Sequence, residues 1–226
     1  MRISAFFPAH NEKESLRPLV KALKEKLSGT AEKYEIIIVD DGSTDATGET
    51  ADGLSGVRVI HHGNNLGYGA AIRSGIAASK YECIFYTDGD YQFEPEEIDR
   101  LLPFIKDFDI VTGYRIHKQQ YNLARKLISF IRNLIDRLIF GLPYRDLGCA
   151  FKLFRREIFS DMALTLNGMM IETEIFLKAK KKGYKIKEVG VSNYPRAHGK
   201  GSGGSLKMVL PAILELGKLI LIFLGG

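Results

Sequence analysis

The chain is poor in sulfur ligands and has no long apolar run. Its two cysteines, Cys83 and Cys149, exclude a disulfide scaffold and fit reduced thiols in a cytosol. His10, His61 and His62 lack ligand spacing with either cysteine, which argues against a zinc site. No window reaches about 18 uncharged apolar residues, so no transmembrane helix is expected. Met1 to Pro8 is too short and too weakly flanked for a signal peptide. There is no internal repeat and no low-complexity block. The Gly-rich stretch His61–Gly75 has no Gly-Lys-Ser/Thr and no Gly-x-Gly-x-x-Gly, so it is neither a Walker loop nor a dinucleotide fingerprint.

What is present describes a folded α/β protein. The 226 residues are 45% hydrophobic, with 10 Tyr and 13 Phe, which excludes a disordered chain. At about 150 residues per domain the length gives one large domain, or one domain and a small appendage. Such a chain buries enough surface to fold without a disulfide or metal staple. The net charge of +5 is unevenly placed. Residues 1–113 hold 12 Lys/Arg against 19 Asp/Glu, and residues 114–226 hold 20 against 8. This excludes a uniformly basic nucleic-acid coat. It points to a basic surface for phosphates or an anionic membrane, unless the split is chance scatter of solvated charge.

Along the chain, Arg2–Pro8, Tyr34–Asp40, Val57–His61, Tyr81–Thr87 and Asp109–Gly113 read as strands. Glu12–Ser28, Thr44–Asp52, Gly67–Ser79 and Pro95–Ile105 read as the helices between them. That alternation predicts a mostly parallel central sheet with helices on both faces. Ligands of such sheets bind at the carboxyl ends of the strands. Three polar clusters stand there: Pro8–Glu12, Asp40–Asp45 and Asp88–Gln92. Asp88 and Asp90, with the amide of Gln92, offer hard oxygen ligands suited to Mg²⁺ or Mn²⁺, completed by water and substrate phosphates. The loop His61–Gly75 either cradles a phosphate through backbone amides or forms a tight turn for close helix packing.

Two segments in the basic half are amphipathic. Asn122–Ile139 gathers Arg125, Lys126, Ser129, Arg132, Asn133, Asp136 and Arg137 into an arc of about 140°, with apolar residues opposite. In Ser205–Leu224, Lys207, Glu215 and Lys218 share an arc of about 80°, the rest being apolar, and Pro211 is expected to kink it. Each helix either packs on the protein's own core or lies in a membrane interface. Glu172 and Glu174 sit on a further helix, ahead of the basic run Lys178–Lys187, which reads as a solvated face. Gly199–Ser205 is flexible-looking, more lid than linker.

Six segments in order carry a resemblance: FFPAHNEKESL, YEIIIVDDGSTD, GNNLGYGAAIRSG, YTDGDYQFEPEEI, DIVTGYR and DLGCAFKLFRRE. The set resembles glycosyltransferase family 2, and within it the dolichyl- or polyprenyl-phosphate sugar synthases, from about Ile3 to Ser202. The resemblance implies an α/β GT-A fold over residues 1–204 and a C-terminal interface helix over 205–226. It implies a nucleotide-diphosphate sugar donor, a divalent metal, a polyprenyl phosphate acceptor and inverting transfer at the cytoplasmic face of a membrane. By motif position, Pro8, His10, Glu12, Val39 and Asp41 line the nucleotide pocket. Asp88, Gly89 and Asp90 form the metal motif, with Gln92 as third ligand. Arg115 grips phosphate near the reaction centre, and Arg125 and Ser129 hold the acceptor phosphate. Asp146 is expected to position groups, because a phosphate monoester is already ionised at neutral pH; otherwise it is a local cap. Arg196 and Lys200 belong to a lid over the donor diphosphate, Lys200 standing in for a lysine that the family has after Ser202. The rival readings are a soluble family 2 enzyme with a saccharide or small-molecule acceptor, and a non-catalytic nucleotide-sugar-binding protein at a membrane.

Overall fold

The computed structural model describes residues 1–116, 123–196 and 209–224, without the side chains of 123–128 and 209–210. Seven strands form one sheet: β1 Arg2–Ala9, β2 Lys33–Asp40, β3 Arg58–His61, β4 Cys83–Thr87, β5 Ile110–Arg115, β6 Phe151–Arg155 and β7 Ile186–Val191. Their order is β3-β2-β1-β4-β6-β5-β7. All pairings are parallel except those of β6, which runs antiparallel between β4 and β5. The helices are α1 Lys13–Thr30, α2 Thr47–Asp52, α3 Tyr68–Ala78, α4 Leu123–Leu138, α5 Ile171–Lys181 and α6 Val209–Leu224.

The apolar strands put one core on each face of the sheet. Alternate β1 residues point to opposite sides. Phe6 packs with Ile72, Phe176 and Leu219, on the side of α3, α5 and α6. Ile3, Ala5 and Phe7 pack with Leu16, Leu19 and Leu23 of α1.

Three local expectations change. β1 runs one residue past Pro8. Its pairing with β4 stops at Phe6–Tyr86, so Pro8 stands where the strands have parted and a crevice opens. Pro95–Ile105 is two 3₁₀ segments, Pro95–Arg100 and Leu102–Phe104; Pro103 lacks the N–H that one continuous helix would need there. Strands β6 and β7 carry charges that masked them in the sequence. Lys152 of β6 is 1% exposed, its ammonium donating to the carbonyls of Leu147 and Cys149 and to Glu172. Pro211 lies at the edge of the described residues of α6, so the expected kink is not tested.

The amphipathic helices differ from ordinary surface helices. On α4, Arg132 and Asp136 of the polar arc face inward. Asp136 is 1% exposed and accepts from the Thr173 hydroxyl at 3.0 Å, and Arg132 donates to Glu172 at 3.2 Å. Phe130, Ile131, Leu134 and Leu138 fall within an arc of about 100° on the outer side. All four are exposed, Phe130 at 63% and Leu138 at 72%. On α6, Leu219 is fully buried in the core, while Ile213, Leu214, Leu221 and Leu224 are exposed. Glu215 does not join a solvated stripe but bonds to the backbone ahead of α5. The ends of α4 and α6 meet through the rings of Phe140 and Phe223, 5.7 Å apart.

Candidate functional site

The carboxyl ends of β1, β2 and β4 open into a cleft of about 870 Å³. Pro8, His10, Glu12, Asp41, Asp88, Gly89, Asp90 and Arg196 all line it. The turn after β4 is held close to β1. A Cβ on Gly89 would stand 2.6 Å from the Pro8 carbonyl oxygen, so only glycine lets the Asp88–Asp90 turn lie so near.

The charges in the cleft are crowded. Arg196 donates to Glu12 at 2.8 Å and to Asp90 at 2.9 Å. Asp88 accepts from the Tyr68 hydroxyl at 3.0 Å. Burial raises Glu12 to about 7; Arg196 opposes this, and the charge of Asp90 adds to it. Burial also pushes Asp88 well above the ordinary carboxylate range, with Asp90 and Glu172 adding to the rise. Two carboxylates raised in this way beside the charge of Asp90 are a donor set that a hard divalent cation relieves. Among the described residues no three His, Cys, Asp or Glu side chains form a metal cage.

Two of the expected residues do not line the cleft. The Val39 side chain is fully buried in the core beneath the cleft, because it points to the α3 side of β2. Gln92 does not line the cleft. Its amide nitrogen donates to the Tyr194 carbonyl at 3.0 Å, and Tyr194 N–H donates back to the Gln92 carbonyl at 2.8 Å. Gln92 therefore ties the Asp88–Asp90 turn to the segment that carries Arg196 through its amide nitrogen. Asp41 lines the cleft, yet its oxygens accept from Leu66 and Gly67 N–H at 2.9 and 3.0 Å, and His62 Nδ1 lies 2.7 Å away. It thus shapes the Gly-rich loop. His10 Nδ1 sits 2.9 Å from the Asp41 carbonyl oxygen, at the exposed rim.

Arg115 and Asp146 form a second centre on the same edge. β5 lies two strands from β4, which is about 10 Å along the sheet. The Arg115 guanidinium grips Asp146 by two bonds, at 2.7 and 2.6 Å, and its N–H adds a third at 3.2 Å. Asp146 is 1% exposed. It acts as the fork that aims Arg115. Ser129 is half-buried on α4. The Arg125 side chain and Lys200 lie outside the described residues.

Sequence reasoning missed the polar groups behind the cleft. Lys152 bonds Glu172 at 2.8 Å, and Glu172 receives Arg132 of α4. A buried ionic chain therefore runs from α4 to the neighbourhood of Asp88. Glu172 and Glu174 were legible only as helix residues. Tyr68 lay in a recognised motif, but nothing in its spacing pointed at Asp88.

Residues 4–163 match the family described as glycosyl transferase family 2. The chain is 29% identical to the dodecaprenyl-phosphate galacturonate synthase of Rhizobium johnstonii, over 96% of this chain and 65% of that one. It is 30% identical to the undecaprenyl-phosphate 4-deoxy-4-formamido-L-arabinose transferase of Edwardsiella ictaluri, over 92% of this chain and 64% of that one. The chain thus spans just under two thirds of the length of these relatives. In fold it is similar to the glucosyl-3-phosphoglycerate synthase of Mycobacterium tuberculosis crystallised with Mn²⁺, uridine-diphosphate-glucose and phosphoglyceric acid. The TM-score is 0.72 at 19% identity, over 96% of this chain and 80% of that one. The architecture is the GT-A fold of glycosyltransferases, and on the family match the chain belongs to glycosyl transferase family 2.

Proposed function

We propose that the chain transfers one sugar from a nucleotide-diphosphate donor to a polyprenyl phosphate, with inversion, at the cytoplasmic surface of a membrane. The observation that carries this reading is α4. Its Arg132 and Asp136 turn inward to Glu172 and Thr173, and its Phe130, Ile131, Leu134 and Leu138 turn outward. A helix that packed on its own core would do the reverse. No helix of the described residues is long and apolar enough to cross a membrane. Attachment is therefore read as interfacial, through the outer faces of α4 and α6. On this reading residues 1–204 are the transferase domain and 205–226 the interface helix, its inner side docked on that domain.

Asp88 and Asp90 would hold Mg²⁺ or Mn²⁺, which when bound supplies charge neutralisation of the departing diphosphate. Glu12 and Asp90 hold Arg196 at the same place, where it adds a fixed positive charge to the leaving group. Lys200 is assigned to the same lid. Asp146 fixes the Arg115 fork for the acceptor phosphate, and Arg125 and Ser129 complete that site. The acceptor is already an anion, so the chain need not supply a strong base. Alignment and charge stabilisation are the main sources of rate.

Sedimentation with anionic vesicles tests the interface. Each leucine placed in lipid contributes about 1.5–3 kcal/mol. Leu134→Glu with Leu138→Glu should therefore weaken vesicle binding by roughly a hundredfold or more, with the fold retained. Equal binding by the double variant, or no binding by the wild type, contradicts peripheral attachment through α4.

A further inference from the structure

We propose that Glu215 of α6 is a positioning residue of the donor site: it holds the loop 165–170 against the start of α3 and so sets one wall of the cleft. The proposal rests on the reading of that cleft as a nucleoside-diphosphate site.

Glu215 lines the cleft with Pro211 and Ala212 of the same helix, opposite the β1 and β4 turns. Its two oxygens accept from Gly168 N–H at 2.5 Å and Met170 N–H at 3.1 Å. Those amides lie just ahead of α5, where helix donors have no partner of their own and the helix dipole favours a negative charge. The fit leaves no space. A Cβ on Gly168 would stand 2.6 Å from the Glu215 carboxylate.

The loop passes the restraint onward. The Asn167 carbonyl accepts from Gly69 N–H at 2.7 Å and Ala70 N–H at 3.2 Å, in the first turn of α3. A Cβ on Gly69 would meet the Gly168 and Leu166 carbonyl oxygens at 2.7 and 2.8 Å, so the two segments touch backbone to backbone. α3 carries Tyr68, the hydroxyl partner of Asp88. On its other side the loop is anchored by Glu174, which accepts from Thr165 and Leu166 N–H. Two carboxylates from two helices thus fix one loop, and only Glu215 comes from a helix whose opposite face is exposed and apolar. Gly168 and Met169 reach the cleft directly.

Glu215→Gln keeps the shape but turns an amide N–H toward a backbone N–H. Three measurements on the full chain decide the matter: melting temperature, amide hydrogen exchange, and calorimetric titration with Mn²⁺ plus UDP, GDP or dTDP. The expected result is exchange about tenfold faster at 168–170 and at 69–70, and binding of the preferred nucleotide weakened about tenfold, at a melting temperature within a few degrees of wild type. Faster exchange confined to 168–170, or wild-type affinity in the variant, overturns the proposal while the donor site stands. If the wild type binds none of the three nucleotides, the donor reading itself fails and takes the proposal with it. Should Glu215→Gln not fold, Gly168→Ala, which presses a methyl onto the same carboxylate, is measured in its place with the same outcomes.

Discussion

Asp90→Asn should lower sugar transfer by about a thousandfold or more and leave the fold intact. The site loses a full negative charge from the turn that would hold the cation, while the amide keeps the volume of the carboxylate. Loss of several kcal/mol of charge stabilisation at the leaving group corresponds to about three decades in rate. The protein should tolerate the change, because Asp90 stands among carboxylates that burial already disfavours. Burial and the charge of Asp90 help to raise both Glu12, to about 7, and Asp88. Arg196 loses one of its two partners but keeps Glu12 at 2.8 Å. Circular dichroism and melting temperature check the fold, and titration with Mn²⁺ should show the loss of metal-dependent nucleotide binding. Unchanged turnover would remove the metal from the account.

Asp146→Ala should act on both stability and chemistry. Asp146 is buried and accepts three bonds from Arg115. Breaking such a pair from one side costs about 3 kcal/mol or more, since a guanidinium held in a dry place loses its bidentate carboxylate. For a chain of this length that is roughly a 6–12 °C drop in melting temperature. Activity should fall further than stability explains. With Asp146 gone the guanidinium can turn away from the carboxyl edge, and a misplaced phosphate clamp is expected to cost about a hundredfold. Asp146→Asn separates the two effects, because it keeps one acceptor oxygen and most of the packing. A variant as active as wild type at a temperature where it is fully folded would reduce Asp146 to a local cap.

The parts legible in the sequence are those where a local rule has one outcome. The run YEIIIVD reads as a strand covered on both faces, as in a parallel sheet, and Ile36 to Asp40 are buried so in β2. Asp88 and Asp90 follow a buried strand and stand in the cleft. Where a local rule has two outcomes, the sequence left both standing. Periodicity divides α4 into two faces without saying which turns inward. That choice is made by Glu172 and Thr173, some forty positions away, which receive Arg132 and Asp136. Glu215 shares a polar arc with two lysines, and the amides ahead of α5 claim it. β6 hid because a lysine in the middle of a strand reads as exposed, and only tertiary carbonyls and Glu172 make its burial tolerable.

The central claim is that the cleft and the outward apolar helices serve one reaction, sugar transfer to a lipid phosphate. It is tested most directly by incubating the full chain with Mn²⁺ or Mg²⁺ and a panel of UDP-, GDP- and dTDP-sugars, with undecaprenyl phosphate in anionic vesicles. The lipid is then weighed by mass spectrometry. The account predicts that one donor adds the mass of a single sugar residue to the lipid phosphate and releases its nucleoside diphosphate in equal amount. Transfer to a water-soluble acceptor, with none to the polyprenyl phosphate, would contradict it.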